Sequence, residues 1–345
     1  MNRRIATLLV ALLPVLVLGV LGSVVTVPFA ALGPGPTFDT LGEVAGKPVV
    51  DIVGDVGDRV VDTPSGHLNM TTVAVRDELT VFDALGLWLS GRQGLVPRDE
   101  IYPPDQSRQD VETANEADFA QSEDSAELAA LGHLGLPTVL TVAQVGDDGP
   151  ASGVLQEGDL VTAIDGTPVS TVTGVQAAVG AVEPGTTVTI DIIRDGAPVT
   201  ETVTVEARPD DAQRGYLGIT PEESPNVPFD VEFNLADVGG PSAGLMFSLA
   251  VVDKLSPGDL SGGEFVAGTG TIDADGAVGP IGGIPYKLVA AREAGATVFL
   301  VPSDNCAEAA SRTPDGLTLV RVTSLDDAIG SLDALTSGAD APTCS

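Results

Sequence analysis

Between Ile5 and Ala31 the chain carries no charged residue and is apolar almost throughout. As a helix, such a run exceeds the ~20 residues that cross the ~30 Å hydrocarbon core of a bilayer. Arg3 and Arg4 precede it, and basic residues stay on the cytoplasmic side, so everything after Leu32 is expected outside the cytoplasm. Gly33-Pro34-Gly35-Pro36 is expected to break the helix. Phe29-Ala30-Ala31 also offers the small residues of a signal-peptide cleavage site, but the run is longer than a signal core. The favoured reading is an uncleaved, single-pass anchor in the cell membrane.

That compartment bears on the two cysteines, Cys306 and Cys344. They do not have a metal-ligand spacing, and no metal site is expected. Outside the cytoplasm a disulfide between them is permitted, and it would draw the C-terminal tail (337–345) back onto its domain. The net charge of -33 argues against nucleic acid or an anionic lipid surface as a binding partner.

The remainder reads as a multidomain α/β chain: an extracytoplasmic α/β region over 32–135, a β-rich module over 136–208, and an α+β domain over 213–336. The first region contributes short strands, a helix over Val81–Leu89 bearing Trp88, and an acidic helix over Asp110–Leu131. In the second, Gly149-Pro150-Ala151 leads through Gly158-Asp159 to Ile164-Asp165-Gly166, and an Asp195-Gly196 turn joins two alternating strands. This module resembles a PDZ domain of the bacterial protease type. The resemblance implies a groove that binds an extended peptide as an added strand. By analogy the groove lies between the strand carrying Leu136, Val139 and Val142 and the helix carrying Val175. The loop Gly132-His133-Leu134-Gly135-Leu136 is the candidate carboxylate holder, although it departs from the usual Gly-Leu-Gly-Phe form.

In the third domain, Gly240-Pro241-Ser242-Ala243-Gly244 separates a strand-like run, Phe229–Leu235, from a helical one. A serine on such a turn exposes its hydroxyl beside backbone N–H groups that can hold an oxyanion. The segment also fits a plain helix cap. It spells the G-x-S-x-G elbow of α/β-hydrolases, but that chemistry requires a later histidine, and none follows His133. A lysine kept neutral by burial can replace it. Lys254 ends the helix that Ser242 begins, ~18 Å away at 1.5 Å per residue. Lys287, after Gly279–Tyr286, is then the candidate partner, at a helix N-terminus whose dipole disfavours a cation.

These two segments resemble the proteolytic domain of the Lon family. Gly240–Gly244 matches its Gly-Pro-Ser-Ala-Gly, and Pro280–Lys287 matches its Pro-Ile-Gly-Gly-x-x-x-Lys. The resemblance implies Ser242 as nucleophile, Lys287 as general base, and Thr269 in Gly268-Thr269-Gly270 as support for the lysine. Gly240, Pro241, Ala243 and Gly244 form the oxyanion turn. Gly239 stands where the family often has an acidic residue, and Asp237 is out of register. The nearest approach to a nucleotide-binding motif, Gly46-Lys47-Pro48, lacks the Ser or Thr and the earlier glycine. With the anchor and the PDZ-like module, the chain resembles membrane-anchored, PDZ-containing Lon-like serine proteases of bacteria. That implies polypeptide substrates, no ATP and no cofactor, and a homo-oligomeric, hexameric ring. The alternatives are a non-catalytic peptide-binding membrane protein and a protease that processes only its own chain.

Overall fold

The computed structural model describes residues 3–57, 65–236 and 238–344, with side chains from Leu12 onward. It divides into two units. Unit 1 joins residues 1–130 to 231–345, and unit 2, Leu131–Asp230, is inserted between these halves.

Unit 1 is built on a six-stranded sheet. Strands β1 (Phe29–Asp39), β3 (His67–Arg76) and β4 (Gly94–Pro97) come from before the insertion. Strands β11 (Phe265–Gly268), β12 (Val298–Pro302) and β13 (Thr318–Val322) come from after it. The order is β13-β12-β11-β3-β1-β4. The four strands from β13 to β3 run parallel, while β1 is antiparallel to both β3 and β4. The expected boundary between regions 32–135 and 213–336 therefore does not exist: Phe265–Gly268 pair with His67–Met70 in one sheet. A smaller pair, β2 (Val50–Gly54) with β10 (Phe229–Phe233), again joins both halves.

The helices follow from apolar patterning. α5 (Gly244–Leu255) reads Leu-Met-Phe-Ser-Leu-Ala-Val-Val, apolar on every side, and it is buried on every side. α3 (Arg108–His133) is acidic outside and presents Phe119, Ser122, Ala126 and Ala130 inward. Phe119 meets Phe247 of α5 edge-on with centroids 5.7 Å apart. α6 (Ile284–Ala294) begins after Gly283, whose φ of +72° only glycine adopts readily, and ends at left-handed Gly295. α7 (Cys306–Ala310) and α8 (Leu325–Thr336) complete the unit. Cys306 is disulfide-bonded to Cys344. The tail that this bond was expected to draw back onto its domain lies along β13, where Arg321 N–H donates to Pro342 O and Cys344 N–H to Leu319 O.

The N-terminal helix α1 spans Arg3–Val24 and is shorter than the apolar run that suggested it. Phe29–Ala31 belong instead to β1, with Ala30 and Ala31 fully buried. Gly33–Pro36 also lie inside β1, at a register shift between Pro34 and Thr37 where missing prolyl N–H groups are tolerated. Among the described residues no helix is long and apolar enough to cross a membrane. α2 (Val81–Ser90) contacts α1.

Unit 2 is a sheet of β5 (Thr138–Val145), β6 (Leu160–Ile164), β7 (Thr187–Arg194), β8 (Ala197–Thr204) and β9 (Ile219–Pro225), with α4 (Val172–Gly180) packed on it. The path is β8-β7-β6-β5-β9. The module expected to end at 208 therefore extends through β9, which pairs with β5 along its whole length. Its core is Leu140, Val142, Val161, Val188, Ile190 and Val203 with the inner face of α4. Asp159, 1% exposed, is neutralised by Arg194 at 2.7 Å.

Candidate active site

Ser242 lies in the turn between β10 and α5, and that turn is held from two sides. The Ser242 carbonyl accepts from Gly270 N–H at 3.1 Å and from Thr269 Oγ1 at 3.1 Å, which ties it to the end of β11. On the other side α3 grips the preceding loop. Gly240 N–H donates to Asn115 O at 2.9 Å, and Ser122 Oγ donates to Pro241 O at 3.1 Å. Gly240 has φ +86°, and a Cβ at Gly244 would stand 2.8 Å from Ile272 and 2.9 Å from Ser122. Those two positions accept only glycine: one for its backbone, the other for space.

Lys287 approaches from the first turn of α6. Its Nζ lies 2.6 Å from Ser242 Oγ and 2.9 Å from Thr269 Oγ1. The side chain is 3% exposed, and burial alone pulls its amine down from the ordinary 10.5 to about 7. Near neutral pH a large share of this amine is therefore uncharged and able to accept the serine proton. The loop before it is clamped by a residue to which the sequence assigned no role. Asn305, 7% exposed, accepts from Ile281 N–H and donates to Ile281 O, both at 2.9 Å. That clamp is not legible until the fold brings the two segments together.

The four residues expected to form the oxyanion turn are not equivalent. Pro241 has no N–H, and the Gly240 N–H is already bound to Asn115, so neither can donate. Among the described residues the N–H groups of Ser242 and Ala243 meet no acceptor. Asp237 lies outside the described residues. Gly239, where an acidic residue was sought, faces α3, and a Cβ there would stand 2.9 Å from that of Asn115.

Ser242 and Lys287 open onto a cleft of about 500 Å³. One wall is apolar and comes from before the insertion: Pro36 and Phe38 of β1, Met70 and Val73 of β3, and Phe119 of α3. No histidine lines it among the described residues. His67, on β3 of unit 1, is bound to Asp39 at 2.6 Å, with its ring tilted against Phe265. It stands three residues along the strand from Met70.

The expected peptide groove of unit 2 needs correction. β5, which carries Val139 and Val142, is an inner strand, with Val139 opposite Ser224 and Thr141 opposite Leu160. Its backbone is taken on both sides, Val142 is fully buried, and Leu136 precedes the strand. The sheet edge is β9, and the groove of about 350 Å³ is lined there by Val175, Gln176 and Val179 of α4 facing Ile219 and Pro221. At its end stand Arg214, Gly215, Tyr216, Leu217 and Gly218. This stretch, followed by Ile219, is closer to Gly-Leu-Gly-Phe than is Gly132–Leu136. Among the described residues the N–H groups of Leu217 and Gly218 have no acceptor.

Comparison with known proteins divides the chain in the same sense. Residues 111–205 match the PDZ domain family, and residues 236–332 match the family described as Lon protease (S16) C-terminal proteolytic domain. A probable periplasmic serine endoprotease DegP-like of Pseudomonas fulva (strain 12-X) is 40% identical over 86 residues, covering 25% of this chain and 18% of the relative. Lon protease 1 of Bacillus subtilis (strain 168) is 32% identical over 118 residues, covering 33% of this chain and 15% of the relative. Each match thus spans less than a fifth of the relative's length. The PDZ domain of an SdrC-like protein from Listeria monocytogenes is 28% identical, covering 24% of this chain and 85% of that one, with a TM-score of 0.22.

Proposed function

We propose that this multidomain chain, with its PDZ domain and Lon-type segment, is a serine endopeptidase in which Lys287 is the general base for Ser242. The observation that carries the reading is a serine hydroxyl 2.6 Å from a buried amine whose charge is suppressed. The amine takes the proton as Oγ attacks a peptide carbonyl, and the N–H groups of Ser242 and Ala243 receive the oxyanion. The protonated lysine then gives its proton to the leaving amine, and the acyl-enzyme is hydrolysed by the reverse sequence. Thr269 holds the lysine in register. The apolar wall of Phe38, Met70 and Phe119 supports an extended polypeptide as substrate, and no nucleotide is required in this reading.

Unit 2 supplies the recruiting groove. An extended peptide adds to the free edge of β9, and its terminal carboxylate meets the N–H groups of Leu217 and Gly218 beside Arg214. α1 anchors the protein: its Leu13, Leu16 and Leu18 are apolar and more than half exposed, which favours lipid around them. Cleavage after Ala31 would cut β1 inside the sheet, so the uncleaved form is the favoured one.

The test is turnover of an unfolded protein without ATP by the full-length chain, by Ser242→Ala and by Lys287→Ala. Either substitution should abolish cleavage while leaving circular dichroism unchanged. Full activity in the lysine variant refutes the mechanism.

A further inference from the structure

Beyond α1, the most exposed apolar surface among the described residues belongs to neither cleft. It lies on α2. The inner residues of this helix, Ala84 and Leu87, pack on Ala31, Leu79 and Leu95. Its outer residues Val81, Phe82, Leu85, Trp88 and Leu89 are 40%, 51%, 48%, 62% and 69% exposed. Spaced i, i+1, i+4, i+7 and i+8, they make one continuous stripe along the helix. The helix is well closed, with a capping box between Thr80 and Asp83 at its start and left-handed Gly91 at its end. Its exposure is therefore not that of a fraying segment. A contiguous apolar stripe on an otherwise acidic protein marks a surface that is covered in use.

The neighbour of α2 indicates what covers it. α2 packs on the last turns of α1. A Cβ on Gly22 would stand 2.6 Å from the Phe82 ring, so that ring occupies the space a side chain there would need. Val81 N–H donates to Val25 O, and Val27 N–H to Leu79 O. Between the helices, Val15, Leu18, Leu21, Val25, Val81 and Phe82 line an apolar cavity of about 620 Å³. The next step rests on the reading that α1 crosses a membrane. From Ile5 to Val24, α1 rises ~30 Å at 1.5 Å per residue, so the hydrocarbon core uses the helix up to its end. Gly22 then lies ~3 Å inside that end. A helix seated against Leu18–Val25 falls within the ~5–10 Å depth that interfacial helices occupy.

We propose that α2 is an interfacial membrane helix, with its Phe82–Leu85–Trp88–Leu89 stripe buried at the headgroup–acyl boundary beside the exit point of α1. The occupant is lipid. The stripe carries no charge, and its one polar group is an indole N–H of the kind that settles at headgroup level. A single spanning helix leaves a protein free to rotate about its axis. A second contact on α2 removes that freedom and fixes unit 1 at one height and one azimuth over the bilayer.

Trp88 is the only tryptophan in the chain, so its fluorescence reports on α2 alone. Full-length protein is reconstituted into phosphatidylcholine vesicles. Flotation reads anchoring, and quenching of Trp88 reads α2, by lipids brominated near the headgroup end of the acyl chains and by aqueous iodide. The expected result is flotation, at least twofold quenching by bromolipid, and a several-fold reduction in iodide quenching. The Leu85→Asp/Leu89→Asp variant changes only exposed positions. It should still float, while losing bromolipid quenching and regaining access to iodide. Flotation with Trp88 open to iodide and blind to bromine overturns the proposal and leaves the anchor standing. Shielding of Trp88 from both quenchers identifies a protein contact, such as a second copy, and also overturns it. Failure to float removes the anchor itself, and the proposal with it.

Discussion

The most demanding test of the site is the pH dependence of Ser242 reactivity. In the proposed mechanism the reactive form of Lys287 is the neutral amine, and burial pulls its titration down to about 7. A group with that midpoint is ~9% neutral at pH 6, ~50% at pH 7 and ~91% at pH 8, so reactivity should rise ~tenfold over that span and then level. A solvated lysine titrating at 10.5 would be only ~0.03% neutral at pH 7, and reactivity would climb ~100-fold between pH 6 and 8 without levelling. The assay is the second-order rate of fluorophosphonate labelling at Ser242 in the full-length protein. A carboxyl near the site titrates in the same window. Glu123, next to Ser122 on α3, is raised from 4.5 to about 7 by burial and by the charge of Asp124. The profile is therefore measured in Glu123→Gln as well, where the inflection should persist. A rate still climbing at pH 9, or an inflection that vanishes in Glu123→Gln, refutes the assignment. Lys287→Arg, permanently charged, should label ~10²–10⁴-fold more slowly at every pH.

Other predictions rest on separate contacts. Because the folded pKa of Lys287 lies below its unfolded value, the unfolded state binds more protons between pH 7 and 10.5, and the burial penalty is full below pH 7. Lys287→Met should therefore gain on the wild type in chemical denaturation at pH 6, with the gap shrinking by ~2 kcal/mol from pH 7 to pH 9. Parallel stability curves would contradict this. Ser122→Ala removes the hydroxyl that holds Pro241 O; it should cost ~1 kcal/mol of stability yet slow Ser242 labelling several-fold, whereas unchanged labelling means the grip of α3 is irrelevant to the serine. In unit 2, amidating the C-terminus of a bound peptide should weaken it ~10–100-fold by removing one charge-assisted contact of ~1.5–3 kcal/mol, as read by fluorescence anisotropy. Equal affinity for both peptides would show that no carboxylate is held there. Reducing the Cys306–Cys344 bond, which closes a loop of 38 residues, should lower stability by up to ~4 kcal/mol on the loop-entropy account; no change on reduction would rule that account out.

The candidate site was legible where it is local. Ser242 and Lys287 sit in short glycine-rich segments whose residue types fix both a turn and a reactive group, and the missing downstream histidine removed the main rival. The sheet was not legible, because its pairing joins residues nearly two hundred positions apart. Nothing in Leu68-Asn69-Met70 says that it will lie beside Val266-Ala267-Gly268. The groove of unit 2 failed for a related reason. β5 alternates like a peptide-binding strand, whereas β9 contains Pro221, Glu222, Glu223 and Pro225 and does not read as a strand. Proline and charge are characteristic of a sheet edge, and β9 is that edge. The oxyanion donors illustrate the same limit, since only the fold shows that α3 has already taken the Gly240 N–H.

The tail that lies along β13 has a consequence beyond stability. β13 is the last strand of a mostly parallel sheet, and an uncovered row of its N–H and C=O groups would accept any extended chain that arrived. On the proposed function the clefts receive unfolded polypeptide, and the molecule would work among such chains at high local concentration. Residues 342–344 occupy that row in advance, and the bond from Cys344 to Cys306 keeps them there. The protection is thus chemical rather than topological. Under oxidising conditions the sheet is sealed against its own clientele. In a reducing one the seal opens, and the molecule acquires the sticky edge that its surroundings would turn into an aggregate.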